Sequence, residues 1–515
     1  MRYFTIVTLL SIVGVVAQFG DATAKVVRAE VLARTPYGIF KPGEYVRLDM
    51  RVFGEISPDE AIPDISKAVR NSRGFVDYST RVTVIMPGES ARGNGTLLVD
   101  VPNRGRAISA SLFNSPRNVL VPLGSFDHGT GFLQDYGFAV ATVAWELGYG
   151  VELPTFVESD GKPRYLEYAT MAIVRDVANY LSVAKADDMG TSNPLAGKVG
   201  RSIALGYSQT GRFLKTFLLR GFNVAEGRRV FSGIHILGAA SGHIKLESVP
   251  GPNSGAGNIP LFDDPEVRGV AEEPLAIADI VAEVRKRGEV APYIVFVNTT
   301  TDYFSLRASF GRTGGDGSQE KPLPDNIRAY DIAGASHGLS VGKSPCKYPF
   351  AILDWHPVMR STLLALDRWV SKRVPPPASD LMPLIAATQD SMALRAPAHL
   401  PNAATLVPAL DGDGNAVGGV RLPDMEAPLG THGGQNPPLS FQCALASSYR
   451  AFPKTKGERE AQTDSRAALL ERYKDKNEYL NRIRMAVRSL EKRGLILSED
   501  AAVLMHSAAE VVFPK

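Results

Sequence analysis

Ser208 lies in the run Gly206-Tyr207-Ser208-Gln209-Thr210-Gly211, between an apolar stretch that reads as a strand and one that reads as a helix. A serine on a sharp strand-to-helix turn holds its Oγ exposed above a sheet, and small flanking residues let the two backbones approach closely there. The usual spacing is G-x-S-x-G. Here Thr210 takes the last position and Gly211 comes one later. A hydroxyl is a poor nucleophile without a base, and the base needs an acid to orient it. Downstream, Asp302 follows the buried run 293–297, and His337 lies in Ala333-Gly334-Ala335-Ser336-His337-Gly338, after the run 327–332. A histidine among small residues in such a loop is poised, not packed. The plainer readings are a helix cap for Ser208 and for Asp302 and a surface-loop histidine for His337. The chemical reading is acyl transfer through a serine.

The oxyanion of that chemistry needs two donors. The backbone N–H of Gln209 is the first candidate. The second is the loop Pro102-Asn103-Arg104-Gly105-Arg106, in which Gly105 lets the backbone approach a substrate. Arg104 or Arg106 alternatively binds a substrate carboxylate, and for Arg106 a solvated loop position is the plainer reading. The other histidines fit less well. His235 lies inside an apolar strand and reads as a core residue, while His243 is a distant runner-up base. His356 begins a helix. His128, His399, His432 and His506 have no acid-and-strand context. No H-E-x-x-H, C-x-x-C or G-x-x-x-x-G-K occurs, so neither a catalytic metal nor a cofactor is expected.

These residues need a frame. Stretches 26–34, 44–53, 76–87, 95–101, 138–145, 199–205, 230–237, 293–297 and 327–332 read as strands. Stretches 165–184, 213–219 and 357–374 carry apolar residues at helical spacing. Strands alternating with helices predict a mostly parallel sheet covered on both faces. After Pro375-Pro376-Pro377 the texture changes, and eleven of the 35 prolines fall between 375 and 438. That marks a loop-rich segment over 375–463 that wraps the main body. Asp411-Gly412-Asp413-Gly414-Asn415 resembles the start of a calcium loop, but Leu422 stands where the glutamate belongs. A tight hairpin between 406–410 and 417–422 is the better reading. Residues 464–515 read as helical, with Tyr479, Ile483, Val487 and Leu490 in one stripe and Gly494 as a stop.

Composition narrows the partners. With 44% hydrophobic and 22% charged residues the chain is an ordinary globular one, which excludes a disordered or multi-spanning protein. Lys+Arg 57 against Asp+Glu 54, with no run of five like charges, excludes a nucleic-acid groove or a polybasic membrane patch. Residues 1–24 read as a signal peptide, with Arg2, an apolar run of about fourteen residues, and Ala22-Thr23-Ala24 before the cleavage point. Cleavage after Ala24 predicts a periplasmic or secreted protein with no stable membrane insertion. In an oxidising compartment the two cysteines, Cys346 and Cys443, are expected to form one disulfide.

Taken together, the motifs resemble the large bacterial family of alpha/beta hydrolase domain-containing proteins. The resemblance is carried by Asn103-Arg104-Gly105, by Gly206 to Leu214 (GYSQTGRFL) and by Ala333-Gly334-Ala335-Ser336-His337. Pro375-Pro376-Pro377, Asp411 to Asn415, Phe452 to Lys456, Glu458-Arg459-Glu460 and Glu471-Arg472-Tyr473 add to it. It covers about residues 30–510. It implies the alpha/beta-hydrolase fold, a serine nucleophile, and the order Ser208, Asp302, His337. Relatives often carry Ser-Glu-Thr-Asp where this chain has Thr299-Thr300-Thr301-Asp302, which leaves Asp302 as the remaining carboxylate. The expected organisation is a catalytic domain over 25–374, the wrapping segment over 375–463 and a helical segment over 464–515. The expected activity is hydrolysis of a small-molecule carboxylic ester. A serine peptidase or amidase would use the same groups, and a non-catalytic binding protein on this scaffold is the reading from another class.

Overall fold

The computed structural model describes residues 25–89, 91–117, 119–239, 242, 244, 275–340, 342–351, 353–388, 404–437 and 441–514. The expected leader with its cleavage after Ala24, and the histidines His243 and His399, lie outside the described residues. At the centre is a 10-stranded sheet. Its main strands are β1 (Lys25–Phe40), β2 (Gly43–Ile56), β3 (Val76–Pro87), β4 (Thr96–Asp100), β5 (Ala139–Val143), β6 (Arg201–Tyr207), β7 (Gly233–Leu237), β8 (Tyr293–Thr299) and β9 (Ile327–Ile332). They lie in the order β1-β2-β3-β5-β4-β6-β7-β8-β9, and the short strand Val151–Glu152 pairs with β3. From β1 to β5 neighbours are antiparallel. From β5 to β9 every pairing is parallel.

Side chains of the parallel strands alternate between two cores, as a period of two requires. Leu97, Val99, Ala204, Ile234, Ile236, Ile294 and Phe296 face α1 (Ala169–Val183), α2 (Gln209–Leu219) and α3 (Ile277–Lys286). Leu98, Ile203, Leu205, Leu237, Val295 and Val297 face the other side. After the short α4 (Thr300–Ser305), that side is covered by α5 (His356–Lys372), α6 (Lys476–Lys492) and α7 (Ser498–Ala509). The stripe Tyr479, Ile483, Val487 and Leu490 of α6 is buried in this second core. Among the described residues no helix is long and apolar enough to cross a membrane.

Two elements differ from expectation. β1 runs to Phe40, well past residue 34, through Pro36 and Gly38; a register shift lies between those two residues. An edge strand tolerates proline and a bulge, which in sequence look like a turn. The expected hairpin between 406–410 and 417–422 forms only at its tip, where the Asp411 N–H donates to Asn415 O (2.8 Å) and the Val417 N–H to Ala409 O (2.9 Å). Leu406–Pro408 pairs instead with Leu384–Ala386. Val420 goes to the open edge of β9, donating to Asp331 O (2.8 Å) and accepting from the Ala333 N–H (3.1 Å). Asp380 does the same two residues earlier, with Asp331 N–H to Asp380 O at 2.9 Å and Asp380 N–H to Ala329 O at 3.0 Å. An exposed edge is a row of unpaired polar groups, and satisfying it outweighs the local hairpin.

Candidate active site

Every candidate residue sits just past the C-terminal end of a parallel strand: the 103–106 loop after β4, Ser208 after β6, Asp302 after β8 and His337 after β9. Ser208 has φ 55° and ψ −112°, a left-handed conformation that a non-glycine residue adopts only under constraint. Its N–H donates to Leu237 O (2.8 Å), and its carbonyl accepts from the Arg212 N–H (3.1 Å) to begin α2. A Cβ on Gly206 would come within 2.6 Å of Thr210 O, and one on Gly211 within 2.8 Å of the Ala239 Cβ. Close approach to β7 therefore falls on Gly211. Thr210 is buried and uses its Oγ1 to accept from the Tyr207 N–H (3.0 Å). The displaced glycine follows from that geometry.

His337 Nε2 lies 3.0 Å from Ser208 Oγ, and His337 Nδ1 lies 2.5 Å from Asp302 Oδ1. A carboxylate oxygen accepts, so Nδ1 carries the ring proton and Nε2 is left to accept from the serine hydroxyl. Asp302 is fully buried; its Oδ2 takes the Thr299 N–H (2.7 Å) and Thr299 Oγ1 (3.0 Å). This is a capping box at the start of α4. The cap reading and the acid reading of Asp302 thus use different oxygens of one carboxylate. The Asp302 and His337 loops are also tied directly, with Gly334 N–H to Thr300 Oγ1 at 2.7 Å and Thr301 N–H to Ala335 O at 3.2 Å.

The loop after β4 is arranged differently from expectation. Arg104 (φ 51°) and Gly105 (φ 70°) form a tight turn of the primed type. Asn103 and Arg106 exchange backbone hydrogen bonds across it, at 2.8 and 3.0 Å. The turn aims the Arg104 N–H at Gln209 Oε1 (3.0 Å) and the Gly105 N–H at the Glu146 carboxylate. Gly105 therefore does not offer its backbone to the elbow; the Asn103 side chain does, donating from Nδ2 to Tyr207 O at 2.8 Å.

Two neighbours were not signalled by the sequence. Glu146, just beyond β5, is buried beside Gln209 (Nε2 to Oε1, 3.4 Å), and burial holds its carboxyl above the usual range. Its only trace in sequence is a charge directly after the run 138–145. Tyr207 stacks its ring on His337 (centroids 5.2 Å apart) and donates its Oη to His337 O (3.0 Å). Other histidines serve elsewhere. His235, fully buried, contacts Thr362 Oγ1 (3.0 Å), and burial pushes its pKa down to about 3. His356 pairs with Asp354 (2.6 Å), but its Nε2 ends on Ser111 O (2.9 Å), not on a hydroxyl. A cleft of about 510 Å³ beside α5 and α7, lined by Arg360, Asp500 and Leu504, contains neither Ser208 nor His337, so chemistry and not room locates the site.

Cys346 and Cys443 form a disulfide, with Cα atoms 5.7 Å apart. It brings the segment after Cys443 alongside the His337 loop. Ser447 N–H donates to Ser336 Oγ (2.9 Å), the two serine Oγ atoms are 2.6 Å apart, and Gly338 N–H reaches Leu445 O (3.4 Å).

Among solved structures the chain is similar to a CE15 glucuronoyl esterase from Teredinibacter turnerae T7901, 11% identical over 60% of this chain and 77% of that one, TM-score 0.29. It is also similar to a rice cell wall degrading esterase from Xanthomonas oryzae, 12% identical over 61% and 91%, TM-score 0.29. A putative acetyl xylan esterase from Bacteroides fragilis NCTC 9343 is 12% identical over 59% and 70%, TM-score 0.25. No curated protein matches. The alpha/beta hydrolase domain family matches residues 150–506, more than half of the sequence and the part that holds Ser208, Asp302 and His337. The chain belongs to the alpha/beta hydrolase domain family.

Proposed function

We propose that this protein is an exported serine hydrolase that cleaves a carboxylic ester through an acyl-enzyme. The observation that carries the reading is the unbroken chain of contacts from Ser208 Oγ to His337 Nε2 (3.0 Å) and from His337 Nδ1 to Asp302 Oδ1 (2.5 Å). His337 takes the hydroxyl proton as Ser208 attacks the carbonyl, and Asp302 holds the ring tautomer and stabilises the imidazolium. His337 then returns the proton to the leaving alcohol. Water, deprotonated by the same ring, releases the acid and regenerates the serine. The Gln209 N–H, at the head of α2, and the 103–105 loop face the oxyanion. Export is supported by the leader and by the Cys346–Cys443 bond, which belongs to an oxidising compartment.

The test is a fluorophosphonate probe followed by peptide mapping, beside turnover of a p-nitrophenyl ester series and matched anilides. Label on Ser208, with label and ester turnover lost in Ser208→Ala by about 10⁴–10⁶-fold, is the expected result. Anilide turnover rivalling the esters would move the assignment to an amidase or peptidase. Neither label nor turnover would favour a binding protein.

A further inference from the structure

The inference concerns the second oxyanion donor and rests on the serine-hydrolase reading above. Attack by Ser208 creates an oxyanion that needs donors at about 3 Å, fixed before the reaction. The first turn of a helix directs its backbone N–H groups outward, which suits Gln209 at the start of α2. The loop after β4 is the element that faces the elbow, yet its backbone is turned to the protein. Asn103 N–H goes to Arg106 O, Arg106 N–H to Asn103 O, Arg104 N–H to Gln209 Oε1, and Gly105 N–H to the Glu146 carboxylate.

What the loop presents instead is the Asn103 carboxamide. It is buried, and its Nδ2 lies 2.8 Å from the carbonyl oxygen of Tyr207, one peptide before Ser208. A carbonyl only accepts, so the nitrogen of the amide must be the atom that faces it, and the usual ambiguity of an asparagine flip is removed. An amide nitrogen carries two hydrogens, and the Tyr207 carbonyl takes one of them. We propose that the second N–H of the Asn103 carboxamide is the other oxyanion donor, a side-chain donor in place of a backbone one. Its position is set from both sides. Tyr207 O holds the amide, and Gln209 Oε1 holds the next backbone N–H, so the elbow and the loop move as one piece.

A merely structural Asn103 would also be missed if removed, so the test must read the oxyanion itself. A thionoester places sulfur, a weak acceptor, where the oxyanion forms. The measurement is kcat/KM for p-nitrophenyl acetate and for its thionoacetate counterpart, in wild type, Asn103→Ala and Ser208→Ala, with Tm recorded for each. Asn103→Ala should lower kcat on the oxygen ester by about 10²–10³-fold with KM little changed. On the thionoester the loss should be much smaller, so the ester-to-thionoester ratio collapses. Equal losses on both substrates, or no loss, while Ser208→Ala is inactive, would overturn the assignment of Asn103 alone. Undiminished turnover in Ser208→Ala would overturn both readings. If Asn103→Ala fails to fold, Asn103→Ser, smaller and with a single donor, is put to the same ratio and judged by the same outcomes.

Discussion

Asp302 shows how much one residue's surroundings constrain its chemistry. Its Oδ2 faces the Thr299 N–H, a donor that cannot turn (2.7 Å). In Asp302→Asn that fixed donor keeps the amide oxygen on its side and presents the NH₂ to His337 Nδ1. The ring is then forced into the other tautomer, with its proton toward Ser208. We expect kcat to fall about 10⁴-fold with Tm nearly unchanged; a variant retaining a tenth of wild-type kcat would remove Asp302 from the assignment. Tyr207→Phe keeps the ring stack but loses the bond to His337 O, a contribution of about 1 kcal/mol. A fivefold or so loss in kcat, with the rate of fluorophosphonate labelling falling in step, is expected. At this scale the sequence was informative wherever a residue followed an apolar strand in a loop of small residues, as Ser208, Asp302 and His337 do. It was silent on Tyr207 and Glu146, because the contacts that give them meaning join residues 130 and 63 positions apart.

Elements fix these residues through loops tied to one another. Asp100, at the end of β4, accepts from the Ile108 N–H (2.9 Å) and the Ser109 N–H (2.8 Å), closing the loop that carries Asn103. Burial pushes its pKa up to about 6, against those two donors. The folded protein then holds this proton more tightly than the unfolded chain, whose aspartates titrate at about 3.9. Its contribution is fully present below about pH 4 and is lost as pH rises through about 6. Measured against Asp100→Asn, wild type should lose about 1.4 kcal/mol of unfolding free energy per pH unit across that window, and nothing further above it. A difference independent of pH would mean Asp100 is ionised throughout. The His337 loop is tied instead by the Cys346–Cys443 bond and the Ser336–Ser447 pair. A Cys346→Ser/Cys443→Ser variant should lose about 2–4 kcal/mol of stability. Its kcat should fall while Ser208 is still labelled, because the base and not the nucleophile is loosened; unchanged kcat would show that packing alone holds the loop. Strand and helix order was legible because apolar periodicity is local. The abortive hairpin near Asp411 was not, because the open edge of β9 competes for Val420 from far away in the chain.

At the scale of the whole molecule, the texture change after Val374 marks a boundary in composition that the core does not respect. Tyr479, Ile483, Val487 and Leu490 of α6, and Leu504 of α7, lie in the same buried cluster as Leu98, Ile203 and Leu205 of the central strands and Val358, Leu363 and Leu366 of α5. Arg360 of α5 is bound to Asp500 of α7 within that region (Nε to Oδ1, 3.0 Å), and Ser361 Oγ donates to Leu495 O (2.7 Å). The amphipathic stripe of α6 could be read from its spacing, but which surface it covers could not, since any apolar face would satisfy that pattern. Because the terminal helices close one face of the catalytic sheet, they should not unfold separately from it. Ile483→Ala, which empties a buried site, is expected to cost about 2–5 kcal/mol. The loss should appear as a lower Tm for one cooperative transition, with the fluorescence of Trp355 and Trp369, beside α6 in the same cluster, changing together with backbone ellipticity. Two separated transitions, the earlier one leaving ester turnover intact, would show instead that the C-terminal helices are an independent unit resting on a catalytic domain stable without them.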